Sequence, residues 1–223
     1  MDSRAALSLA YDRYRSSRLA MRTELLGRPW GKFSDRFPYF VHHMPLMEWR
    51  LLGKDEDTWV VRSRSGVTLY LAPYYGGVLF RESHAWNQWY LPSVSLRGRT
   101  VLDVGAGCLE CCPLWFSRGA KRVIAVESDP RMEKYIRTNI ELNDWDVEVH
   151  VEPLSPKHFS LKYDFAKIDC EGGERVMLDP SVPDSIQMRI ELHPQVMAPG
   201  EAEALARKFH LSSLGWGGVW ANV

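Results

Sequence analysis

The chain has 223 residues, 45% apolar and 25% charged, and its 28 basic and 28 acidic side chains cancel. That composition suits one globular α/β domain with an extension, and the zero balance argues against nucleic-acid binding through a global positive field. No run of about eighteen apolar residues suggests a membrane span, and the first residues lack an apolar leader, so a cytoplasmic enzyme is the expectation.

Residues 3 to 26 predict an amphipathic helix. Leu7, Tyr11, Tyr14, Met21 and Leu25 share one face, Arg4, Arg13, Arg15 and Arg22 occupy the others, and Gly27 and Pro29 end it. The basic residues read as a solvated face, with docking of a large substrate as the alternative. Residues 28 to 57 are aromatic and poorly periodic, which suggests loop and short helix; adjacent His42 and His43 diverge in any regular structure. Between 58 and 91 the pattern turns β-like, with a hairpin from Trp59–Arg64 through Ser65-Gly66 into Val67–Leu71. Trp86, Trp89 and Tyr90 then precede the core and are candidates for closing a site. Residues 1–92 are expected to form a cap or extension and 93–223 the main domain.

From residue 100 strands and helices alternate. Strands are expected at 100–104, 122–126, 147–151, 164–168 and 186–192, helices near 109–118, 130–142, 172–179 and 200–209, and last strands near 210–214 and 218–223. This order predicts a parallel sheet with helices on both faces, a Rossmann-like α/β fold. Ligands in such sheets bind beyond the C-terminal ends of the strands. Those ends present Asp103, Gly105 and Gly107; then Glu127, Ser128 and Asp129; Glu152; Asp169, Cys170 and Glu171; and finally Glu191 and His193.

The first strand and turn, Val101-Leu-Asp-Val-Gly-Ala-Gly-Cys108, followed by Val123-Ile-Ala-Val-Glu127, have the layout of a nucleotide-binding βαβ unit. A dinucleotide fingerprint would need glycine at 110, where Glu110 stands, and a carboxylate in the first helical turn would repel a pyrophosphate. The pattern resembles motif I of the class I S-adenosylmethionine (SAM) methyltransferases, D-x-G-x-G, with Leu109 in place of the usual third glycine. The resemblance implies a Rossmann-like methyltransferase fold, SAM as cofactor, Asp103, Gly105 and Gly107 as residues that bind it, and Glu127 as the acid for the ribose hydroxyls, beside Ser128. Asp129 and Ser128, just before Pro130, suit a helix N-cap. Glu152 is a candidate for the adenine amino group.

The fourth strand, Tyr163-Asp-Phe-Ala-Lys-Ile-Asp-Cys-Glu-Gly-Gly-Glu174, resembles the K-I-D-x-E-G-x-E signature of the FkbM-type methyltransferases. Ile190-Glu-Leu-His193 and the Glu141-Leu-Asn-Asp run are similar to further landmarks of that family, over residues 75 to 195. The resemblance implies transfer of a methyl group to a hydroxyl oxygen of a small molecule, glycan or lipid headgroup. A protein (lysine) or RNA substrate, docked by the basic N-terminal helix, is the alternative. No N/D-P-P-Y sequence follows the fourth strand, which disfavours methylation of planar amines.

An alcohol must lose a proton as it attacks the methyl group. His193 is the candidate general base and Asp169 the next, with Asp169 also placed for the SAM amino group. Glu171 and Glu191 could orient His193 or, with Asp169, hold a divalent cation; the leading reading assigns no metal. Capping by Glu171 of a helix at Gly172 is the plainer account of that acid. Cys108, Cys111, Cys112 and Cys170 lack a second pair at zinc-ligand spacing and read as small residues packing a helix on the sheet.

Overall fold

The computed structural model describes residues 49–83, 85–214 and 218–222. The helix expected over 3–26, and the aromatic segment as far as 48, lie outside the described residues. The chain divides into two compact units, Met1–His84 and Ala85–Val223.

In the first unit, β1 (Trp49–Lys54), β2 (Trp59–Ser63) and β3 (Thr68–Leu71) form an antiparallel sheet in the order β1-β2-β3. The expected hairpin is present. Gly66, at φ +98°, makes the turn, and the Ser63 hydroxyl accepts from Val67 N–H at 3.0 Å. Two expectations change here. β1 occupies a stretch read as loop, because its outward face is so exposed that the alternation behind it is faint. The helix α1 (Pro73–Glu82) replaces β-like structure. Its two glycines and two tyrosines disguise it, but proline fits the first helical turn and Gly76 packs against the Trp59 indole, where a Cβ would stand 2.7 Å from the ring.

The second unit opens with a short helix, α2 (Trp86–Trp89), and then a sheet of seven strands. These are β4 (Thr100–Val104), β5 (Arg122–Glu127), β6 (Val147–Val151), β7 (Phe165–Ile168), β8 (Met188–Glu191), β9 (Ser212–Ser213) and β10 (Val219–Ala221), in the order β6-β5-β4-β7-β8-β10-β9. The five strands from β6 to β8 are parallel, and β10 runs antiparallel to both its neighbours. The expected parallel sheet is present, and its last edge makes it mixed. A parallel return needs a crossover of a dozen or more residues, and only five lie between β9 and β10. The helices are α3 (Cys112–Ser117), α4 (Glu133–Asn143) and α5 (Glu201–Lys208). The helix expected over 172–179 is a 3-10 turn over Gly173–Leu178.

Every residue of β4 is buried, as befits a central strand covered on both faces. The core continues through Ile124, Val126, Ala166, Ile168, Met188 and Ile190. The chain moves outward from β4 to β5 and β6, then returns to β7 on the other side of β4. That reversal between β4 and β7 is the topological switch point, where ligands bind in open α/β sheets.

Candidate active site

Val104 ends β4, and Gly105 and Gly107 then turn the chain with φ of +71° and +55°. Glycine is required at 105, since a Cβ there would overlap the Asp169 carbonyl oxygen at 1.7 Å. The turn beyond β4 thus lies directly on the chain leaving β7. Leu109 takes φ +66° at the position where the motif usually has glycine, and its side chain is fully buried. Core packing offsets the backbone cost of a left-handed leucine.

Glu127, at the tip of β5, fastens the turn from the side. One carboxylate oxygen accepts from Gly107 N–H at 2.8 Å, and the other accepts from Asp129 N–H at 2.8 Å and lies 3.5 Å from the Ser128 hydroxyl. Asp129 caps the 3-10 turn over Pro130–Met132 by accepting from Arg131 N–H, as expected of an N-cap. From α4, the buried Asn139 donates to the Cys108 carbonyl at 2.8 Å.

Asp103 is placed differently from a cofactor contact. Its carboxylate is fully buried, accepts from Trp115 Nε1–H at 2.8 Å and lies 3.3 Å from Lys167 Nζ. Burial pushes the Asp103 carboxyl up, while the Lys167 ammonium and the Trp115 donor pull it back. Lys167 Nζ also donates to the carbonyls of Val104 and Gly105 and lies 3.8 Å from Asp169. Burial works against its charge, but Asp103 and Asp169 hold its pKa well above the ordinary value. Asp103 therefore supports the turn from beneath.

Glu110 is buried and accepts from Cys108 N–H at 2.9 Å. Burial pushes its carboxyl up to about 8, so it is mostly uncharged at neutral pH. The expected repulsion of pyrophosphate by this carboxylate is therefore weak, and the argument against a dinucleotide rests on the missing glycine.

Glu152 stands apart, just beyond the end of the edge strand β6. It pairs with Lys157 Nζ at 2.7 Å and with His158 Nε2 at 3.3 Å, and the Lys157 hydrogen bond is the largest cause holding its carboxyl at about 2. His150 Nδ1 lies 3.5 Å from it.

The second cluster forms where β7 and β8 end. His193 is 6% exposed. Its Nδ1 lies 2.9 Å from an oxygen of the fully buried Glu174, which also accepts from Cys170 N–H. Its Nε2 faces carboxylate oxygens of Glu171 at 3.6 Å, Asp169 at 3.7 Å and Glu191 at 3.9 Å. The remaining oxygens of Asp169 and Glu191 meet the Tyr90 hydroxyl at 3.0 and 3.3 Å. The Glu174 hydrogen bond, and then its charge with those of Asp169 and Glu171, raise His193 to about 9 against the effect of burial. Burial opposes charge on Glu174, yet His193 and two backbone N–H groups keep its carboxyl below the usual range. Burial and the facing Asp169 push the Tyr90 phenol well up, so it keeps its proton and donates.

Asp169, Glu171, Glu191 and His193 therefore come together, Glu127 and Ser128 join the glycine turn, and Glu152 belongs to a separate group. Glu171 is exposed, holds φ +53°, and does not cap the 3-10 turn, whose N-cap is Gly172. Sequence reasoning passed over Glu174 and Lys167. A lysine inside a buried strand needs a buried partner, and Glu174 sits one helical turn beyond Cys170; both were signals. Cys108, Cys111 and Cys112 are buried free thiols, and burial raises Cys111, Cys112 and Cys170.

No protein-family model and no curated protein matches the chain. Among solved structures it is similar to one from Streptococcus mutans described as a SAM-dependent methyltransferase, at 13% identity and TM-score 0.52, over 75% of this chain and 55% of that one. Another, described as a methyltransferase complexed with SAH, aligns over 70% of this chain and 47% of its own at TM-score 0.48 and 13% identity. A ribosomal protein L11 methylase from Lactobacillus delbrueckii subsp. bulgaricus aligns over 56% of this chain and 68% of its own, at 16% identity and TM-score 0.39. The chain spans about half the length of the first structures it matches. The likeness gives the fold: a Rossmann-like sheet of the kind found in class I SAM-dependent methyltransferases.

Proposed function

We propose that the chain is a SAM-dependent methyltransferase of FkbM type that transfers a methyl group to a hydroxyl oxygen of a small molecule, glycan or lipid headgroup. The observation that carries this reading is the glycine turn packed on the Asp169 carbonyl at the sheet's switch point, with the acid–histidine cluster at the ends of β7 and β8. The FkbM assignment rests on the Lys167–Glu174 motif.

In this reading Gly105, Gly107, Glu127 and Ser128 hold the cofactor, and Asp103 supports their turn. Glu127 spends one lone pair of each oxygen on backbone N–H groups and keeps others for ribose hydroxyls. Glu152 serves the adenine end. Methyl transfer is an in-line displacement: the acceptor oxygen forms a bond to the methyl carbon as the carbon–sulfur bond breaks, leaving neutral S-adenosylhomocysteine. The protein's main task is alignment. Asp169, Glu171 and His193 attend the acceptor, whose hydroxyl proton leaves at this cluster; His193, raised to about 9, can take it only once Nε2 has lost its own proton, so the adjacent Asp169 carboxylate is the base available at neutral pH.

Incubation with SAM carrying a labelled methyl group and a panel of hydroxylated small molecules, glycans and lipids tests the reading. Label should appear as an O-methyl ether. Label only in lysine side chains or RNA would replace it with the macromolecular alternative.

A further inference from the structure

We infer that Lys167 is a positioning residue for the amino-acid tail of the cofactor: its buried ammonium ties the glycine turn after β4 to the Asp169 carboxylate. The inference rests on the methyltransferase reading. There Glu127 takes the ribose and Glu152 the adenine end, so the tail falls at the remaining end, between Gly105 and Asp169.

Lys167 is out of place by packing alone. It is 2% exposed in a strand whose other residues, Phe165, Ala166 and Ile168, are wholly buried and apolar. Burying an ion pair is costly, and apolar side chains of similar volume often serve stability as well or better. The position of the charge is more specific. The parallel register sets Lys167 beside Asp103 of β4, and the two-residue period of a strand carries Asp169 to the same face.

An ammonium has three protons and no lone pair. That of Lys167 lies 3.0 Å from the Gly105 carbonyl oxygen, 3.3 Å from that of Val104, 3.3 Å from Asp103 Oδ1 and 3.8 Å from Asp169 Oδ2. Asp103 Oδ1 is buried and accepts no hydrogen bond, so the adjacent ammonium compensates its charge. From α2, the Tyr90 ring lies over Nζ at 5.3 Å, and its hydroxyl donates to the same Asp169 oxygen.

The two ends of the turn are therefore held by different groups. Glu127 holds Gly107 N–H and Asn139 holds the Cys108 carbonyl, on the side of the ribose. Lys167 holds the carbonyls of Val104 and Gly105, on the side of Asp169. Its loss should loosen the tail end and leave the adenosine end in place.

Isothermal titration of the full chain with S-adenosylhomocysteine and with 5′-methylthioadenosine, which keeps the adenosine and lacks the amino-acid tail, tests this. Lys167→Met alone strands Asp103 as an uncompensated buried charge and destabilises the fold. Lys167→Met combined with Asp103→Asn removes both charges and keeps an acceptor for Trp115 Nε1–H. With native circular dichroism, this pair should weaken S-adenosylhomocysteine about tenfold or more and methylthioadenosine by about twofold or less. Asp103→Asn alone, which leaves the ammonium in place, should cost less than the pair. Undiminished S-adenosylhomocysteine binding in the pair, equal losses for the two ligands, or the whole loss in Asp103→Asn alone would overturn the inference and leave the methyltransferase reading intact. A wild-type chain that binds neither SAM nor S-adenosylhomocysteine would remove that reading, and the inference with it.

Discussion

His193 and Glu174 form a buried pair: Nδ1 lies 2.9 Å from a glutamate oxygen that is wholly shielded from solvent. The pair ties the end of β8 to the turn after β7, and it fixes which nitrogen of His193 faces the acids. Glu174→Gln keeps the shape and removes the charge. The imidazole should then titrate well below about 9, back toward its ordinary 6.5, in an NMR titration of the protein. An unchanged titration would mean that Glu174 does not set it.

His193→Ala should leave SAM affinity within a few-fold of wild type and lower turnover on the order of 10² or more. Equal losses in SAM affinity and turnover would make the residue structural.

Glu127→Ala removes the acid that fastens Gly107 and Asp129. SAM affinity should fall by about 1–3 kcal/mol, the loss expected for hydrogen bonds to a charged group. Unchanged affinity by calorimetry would separate Glu127 from the cofactor.

Most of the layout of residues 100–209 was legible because buried parallel strands are largely apolar runs, as in Val123–Val126 and, interrupted only by Asp103, Val101–Val104. Glycine turns and acids then follow at fixed places. The α1 helix was not legible, since Gly76 and Gly77 answer to the Trp59 ring, a neighbour distant in sequence. In the site, Asp169, Glu171, Glu191 and His193 were readable from strand ends. Pairings such as Lys167 with Asp103, or Tyr90 with Asp169 across 79 residues, depend on how β4, β7 and α2 meet and leave no local pattern.

Glu171 combines an exposed side chain with left-handed backbone, a conformation that costs a non-glycine residue about 1–2 kcal/mol. Such strain at a strand tip is consistent with a functional residue. Glu171→Gly should raise stability by about 0.5–1 kcal/mol in chemical denaturation and lower turnover. Lower stability would show that the side chain is structural.

Glu110 gives a pH dependence. Its carboxyl rises from an ordinary 4.5 to about 8 on folding, so between those values the folded chain holds a proton that the unfolded chain has lost. Its contribution is therefore fully present below pH 4.5 and is lost as pH rises through about 8. Glu110→Gln should flatten this decline, raising the melting temperature relative to wild type by more at pH 8 than at pH 5. An equal shift at both pH values would place the titration elsewhere.

The central claim is that the turn after β4 binds SAM. Isothermal titration of the purified chain with SAM, S-adenosylhomocysteine and NAD tests it most directly. Saturable binding of the first two and none of the third is predicted; binding of NAD alone would contradict the account.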